Sequence, residues 1–131
     1  ILHSTTFQGH SLGIAAALAA QKIIHQKTVL QNINNNGNYL KQVLVDELKN
    51  HEFFFDVRGR GLRLSFEYNC NDKNKFGITL SNRMLEKHNI LLNSKWHRVC
   101  LTPAYIITKS QCDLVLDKLI KEFKNLSDSW K

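Results

Sequence analysis

"FFFDVRGRGLRLSFEY", residues 53–68, is where the hydrophobic period of the chain changes. Leu62, Leu64 and Phe66 alternate with Arg63, Ser65 and Glu67, an every-second-residue pattern that predicts a half-buried strand with the polar set facing solvent. Just upstream, Gly59 and Gly61 flank Arg60 and predict a bulge or a tight bend between two strand pieces. The flanking segments carry the helical period instead. Leu12, Ala16, Ala19 and Ile23, widened by Ile14 and Leu18, predict a helix over 11–25 that acts as a buried packing element. Leu40, Val43, Leu44 and Leu48 predict a second over 29–49, with Lys41, Asp46 and Lys49 outward and a break or kink near Gly37 in "NINNNGN". After the polar loop "NCNDKNK", a third helix is expected over 76–88, burying Phe76, Leu80, Met84 and Leu85 and stopping at His88-Asn89. Short strands follow at 90–92 and 98–101. Thr108 and Gln111 then form a capping box for a last helix with Cys112, Val115, Leu116, Leu119 and Phe123 on its apolar stripe. The order predicts an α+β fold: helices packed on one face of a small, mostly antiparallel sheet.

Composition narrows the function classes. A chain of 131 residues, 43% hydrophobic, is long enough for a real core. Its net charge of +7 comes from 18 basic residues spread along the sequence with no dense block, a poor footprint for nucleic acid. Three cysteines without C-x-x-C spacing argue against a disulfide framework and a zinc site and point to a reducing, cytoplasmic compartment. The nine-residue run Leu12–Ala20 is far short of the ~20 residues that span a bilayer, so no membrane role is expected. With no initiator methionine and no signal-peptide pattern, the start reads as cut from something longer. The six histidines show no metal-site spacing, and no nucleotide-binding or nucleophile-elbow motif occurs.

The opening "HSTTFQGHSLGIAAALAA", residues 3–20, sets hydroxyls and a glycine directly before the most apolar stretch. Two readings suit it: ordinary helix capping, with Ser11 able to cap, or an anion held at a helix N-terminus by unpaired amides and the helix dipole.

Three motifs together decide between them. "HSTTFQGHSLGIAAALAA", "DVRGRGLRLSFE" and "LTPAYIITKSQCDLVLDKLIKEF" resemble successive C-terminal signatures of class III (ornithine- and omega-type) aminotransferases, pyridoxal 5'-phosphate enzymes of fold type I. The resemblance covers nearly the whole chain, in order. It implies that Thr6, with Thr5 beside it, binds the cofactor phosphate across the interface of a homodimer. It further implies an amine or amino-acid donor and a 2-oxo acid acceptor as substrates.

Several positions depart from the family pattern. Ser11 stands where proline is usual. Cys100 stands where several family members carry the arginine that holds the substrate carboxylate, and Pro103-Ala104 replaces a proline pair. Arg98 shares a strand face with Cys100 and is the candidate substitute. The lysine that bonds the cofactor, the aspartate facing the pyridine nitrogen and the glycine-rich cofactor loop lie upstream in the family, and no lysine of this chain has a matching context. The chain therefore reads as the C-terminal portion of an aminotransferase, inactive alone. Residues 1–35 read as an interface helix segment with the phosphate turn, and 36–131 as the C-terminal small domain. The competing reading is a standalone, non-catalytic interaction module of the same fold.

Overall fold

The computed structural model describes residues 6–130. The chain divides into two compact units, Ile1–Gln31 and Asn32–Lys131. In the first, a turn over 6–9 leads into α1 (Ser11–Ile24), and α2 (Lys27–Leu48) begins before the unit ends. The second holds the rest of α2, the hairpin β1 (Phe54–Arg60) and β2 (Arg63–Tyr68), α3 (Lys73–His88), the hairpin β3 (Asn93–Lys95) and β4 (Arg98–Leu101), and α4 (Lys109–Asp128). The strands lie in the order β1-β2-β4-β3, every neighbouring pair antiparallel. This is the expected α+β layer.

The core lies on one face of that sheet. Val57, Leu64, Phe66, Tyr68, Val99 and Leu101 meet the apolar faces of α2, α3 and α4. Phe123 of α4 sits at the centre, its ring 4.9 Å from Phe66 and 5.6 Å from Phe76, both edge-on. Thr108 caps α4 through the expected reciprocal box with Gln111. Buried Glu122 ties α4 to α3: Lys87 Nζ donates to both carboxylate oxygens at 3.1 and 3.2 Å, and His88 Nε2 lies 3.2 Å away.

Five local expectations are corrected. The asparagine-rich stretch does not break α2, which is continuous through Gly37. Gly37 is there for close approach: a Cβ would lie 2.1 Å from the Gly61 carbonyl oxygen at the tip of the first hairpin. Gly61 itself, at φ 54°, starts the two-residue turn that joins β1 to β2. Leu85 is exposed, because Phe76, Leu80 and Met84 already occupy one helical stripe and Leu85 falls a hundred degrees off it. The third strand begins at Asn93, not Ile90: Asn89 closes α3 in the left-handed conformation and the Ile90 amide bonds back to Met84, so two more residues pass before pairing starts. Glu67 is buried despite its place on the polar side of β2. Finally, α1 has no buried residue, contrary to its reading as a packing helix.

Candidate functional site

The turn ahead of α1 is built by Phe7, Gly9 and His10. The His10 amide donates to the Phe7 carbonyl at 3.2 Å, and Gly9 takes φ 84°, which bends the chain toward the helix. His10, not Ser11, is the N-cap: its Nδ1 accepts from the Gly13 amide at 2.9 Å. Serine is displaced one position inward, into the first turn, where its own amide has no intrahelical acceptor. Thr6 opens this turn and is exposed. No acidic residue occupies the first turn of α1. The donor set is therefore a hydroxyl and first-turn amides with no competing carboxylate, a combination that fits a phosphate dianion. Thr5 lies outside the described residues.

The second candidate group lies on the sheet face turned away from the helices. Strand register arranges its polar residues in two rows. Arg58, Ser65, Cys100 and Asn93 form one; Asp56, Glu67, Arg98 and Lys95 form the next. Arg98 and Cys100 share this face as expected, both half-buried while Val99 and Leu101 between and beyond them are buried. Arg58 Nε donates to Asp56 at 2.9 Å, and that hydrogen bond holds the Asp56 carboxyl below its ordinary pKa. Glu67 has Arg58 Nε at 3.7 Å. Arg98 Nε and Ser65 Oγ, by contrast, are buried and have no hydrogen-bond partner among the described residues. A buried guanidinium N–H without an acceptor is costly to leave unmade and is the chemistry expected of a group awaiting an anion.

Beyond β4 the chain leaves the sheet. Cys100, Thr102, Pro103 and Ile107 line an apolar cavity of about 320 Å³ with Leu40 and Leu92, and Arg98 is not part of its lining. The exit segment is fastened to α2 by two asparagines that the sequence reading assigned no role. Asn32 Nδ2 donates to the carbonyls of Tyr105 and Ile107 at 2.8 and 3.0 Å; Asn36 Nδ2 donates to Ile107 at 2.7 Å and to Asn32 Oδ1 at 3.0 Å. Their four-residue spacing, which sets both on one helix face, was the available signal. Thr6 and Arg98 belong to different units. Among the described residues, no cluster of three or more metal-ligating side chains occurs, and no helix is long and apolar enough to cross a membrane.

The family model for aminotransferase class-III matches residues 2–123, taking in the turn, both hairpins and most of α4. The chain belongs to the class-III aminotransferase family. Among curated relatives, it is 36% identical to acetylornithine aminotransferase 1 of Bordetella bronchiseptica over 92% of this chain and 30% of that protein. A solved ornithine δ-aminotransferase of Plasmodium falciparum superposes with a TM-score of 0.80 at 25% identity, covering 97% of this chain and 32% of that one. The ornithine aminotransferase of Toxoplasma gondii, solved with pyridoxal phosphate partly occupying its active site, gives a TM-score of 0.80 at 22% identity over 97% of this chain and 30% of its own. The first curated relatives are matched over only 26% and 31% of their length. For this class-III aminotransferase chain, the family and the fold are thus shared with proteins of whose length it spans about a third or less.

Proposed function

We propose that the chain forms the C-terminal part of a pyridoxal-phosphate-dependent transaminase that moves an amino group between an amine or amino acid and a 2-oxo acid. Residues 1–35 supply the phosphate turn and an interface helix; 36–131 form the small domain. The observation that carries the reading is the carboxylate-free turn at the N-terminus of α1, in a family whose structural neighbours include a pyridoxal-phosphate-bound enzyme. When bound, the cofactor supplies the electron sink for breaking bonds at the substrate's α-carbon. This chain's own contribution is binding. Thr6, with Thr5, donates to the phosphate of the cofactor held by the partner subunit of a homodimer. Arg98 pairs with the substrate carboxylate in place of the arginine that Cys100 displaces. The proton-transferring lysine is not among these 131 residues, so the chain alone is proposed to be catalytically silent, in a cytoplasmic enzyme.

The test is cofactor affinity of the complete enzyme by spectroscopic titration. Thr6→Val is nearly isosteric and removes one charge-assisted hydrogen bond, worth roughly 1.5–3 kcal/mol, which raises the cofactor Kd ~10- to 150-fold. Thr6→Ser retains the hydroxyl and loses far less; Thr5→Ala falls between. Should Thr6→Val bind cofactor like wild type yet unfold earlier with and without it, Thr6 only starts the helix.

A further inference from the structure

The asparagines of α2 are an expensive choice for a helix interior. Asparagine is a poorer helix former than alanine, and amides are rarely buried without a specific partner. Asn36 is nonetheless 7% exposed; it and Asn32 together give three bonds to one target, the segment between β4 and α4, and a fourth joins the two side chains. The target needs them. Sheet pairing of β4 ends at Leu101, opposite Leu64, and α4 begins only at Lys109. Between these points the Ile107 amide closes a local turn on the Ala104 carbonyl, but the carbonyls of Tyr105 and Ile107 point at α2. An amide side chain is suited to this geometry because it accepts and donates at once: Asn32 takes a bond from Asn36 while giving two to the segment.

The same segment determines how β4 is held. Its outer neighbour β3 is a three-residue edge strand, so β2 is its only extended support on the other side. Tyr105 and Ile107 lie past Leu101, the last residue of β4, and Arg98 opens the same four-residue strand; the Asn32–Asn36 pair therefore anchors the chain at the exit of that strand.

We propose that Asn32 and Asn36 are positioning residues of the carboxylate subsite: by pinning the carbonyls of Tyr105 and Ile107 they fix the exit of β4, and with it the placement of Arg98 and Cys100 toward substrate. This rests on the assignment of Arg98 above. A displacement of about 1 Å at a reacting group can cost as much as 100-fold, so a slack anchor shows in function before it shows in fold.

The experiment uses the complete enzyme and follows the donor half-reaction alone, in single turnovers, with an α-amino acid and with an amine lacking a carboxylate. Asn36→Leu keeps the volume and removes the donor. The expected result is a rise in KM of about tenfold or more for the amino acid, little change in kcat, and no change for the amine. Amide exchange over 105–108 accelerates at least tenfold in the same variant. Equal losses with both donors make the pair merely structural and overturn the proposal, as does unchanged exchange. Asn32→Ala, at the less buried member, repeats the test if Asn36→Leu does not fold. Failure of the underlying reading looks different: Arg98→Gln then leaves the amino-acid KM unaltered in the wild-type background.

Discussion

α1 and α4 are both rich in apolar residues, yet α4 buries seven of its twenty residues and α1 none of its fourteen. The contrast lies in arrangement more than in amount. α4 sets Cys112, Leu116, Leu119, Phe123 and Leu126 on one stripe and gives the rest of its surface to groups such as Lys109, Asp113 and Lys118. α1 has no such division. Leu12, Ile14, Leu18 and Ile23 are each about half exposed or more, and the alanines between them leave no polar side. A one-sided stripe specifies one intramolecular partner. An all-round apolar helix of small residues specifies no single face, and α1 has no buried residue.

Four substitutions would break or sharpen this comparison. The largest effect is expected at Phe123, which is fully buried among Phe66, Phe76 and His51. Phe123→Ala should cost about 3–5 kcal/mol in urea unfolding, through lost burial and the cavity left behind. A loss below ~1 kcal/mol would mean that the second unit does not own its core.

Next comes Gly37→Ala. The new methyl meets backbone at 2.1 Å, which cannot rotate away as a side chain would, so the helix or the hairpin tip must move. Overpacking of this kind costs about 1–3 kcal/mol, against the gain that the same change brings at an open helix site. Thermal denaturation distinguishes the two by sign alone.

Glu122 gives a smaller effect with a pH signature. Burial by itself raises its carboxyl pKa, but hydrogen bonds from Lys87 and His88 outweigh it and hold the value below the ordinary 4.5. The folded pKa is thus depressed. The stabilisation is fully present above the unfolded carboxyl's titration and is lost as pH falls through the folded value. Glu122→Gln should cost about 1–2 kcal/mol at neutral pH, discounted because Lys87 is half exposed, and nothing in strong acid. A gap between variant and wild type that persists at the lowest pH contradicts the link.

These residues also mark what could be read in advance. The limits of the first two helices, the reciprocal cap at Thr108, the turn at Gly61 and the left-handed stop at Asn89 rest on local rules and were legible, whereas α3 starts at Lys73, capped by Asp72 inside the stretch read as a loop. What escaped was set by partners distant in sequence. Gly37 looked like a helix breaker because its partner, Gly61, is 24 positions away. Asn32 and Asn36 carried no assigned role because the carbonyls they serve are more than seventy residues on. Glu67 kept the strand alternation, yet it is buried on a central strand, between Asp56 of β1 and Arg98 of β4. Thr6 and Thr5 were named in advance by resemblance and Arg98 by its shared strand face with Cys100, and their roles stand as proposals; the unpaired Arg98 Nε is a feature of packing that no spacing reveals.

The smallest effect on folding is expected at Leu18, and it is the most telling. Leu18 is 59% exposed in the middle of α1. Leu18→Gln keeps helix propensity almost unchanged and removes apolar surface that the chain itself does not cover. Its unfolding free energy should therefore stay within about 0.5 kcal/mol of wild type. Self-association should not. If α1 docks a partner subunit, the glutamine places an amide in an apolar contact, and sedimentation should show the assembly shifting toward monomer at concentrations where wild type associates. Unfolding that moves with Leu18 as it moves with Phe123 would show that α1 is covered within the chain. Unchanged unfolding with unchanged association would leave the face open to water and remove the argument for an interface helix.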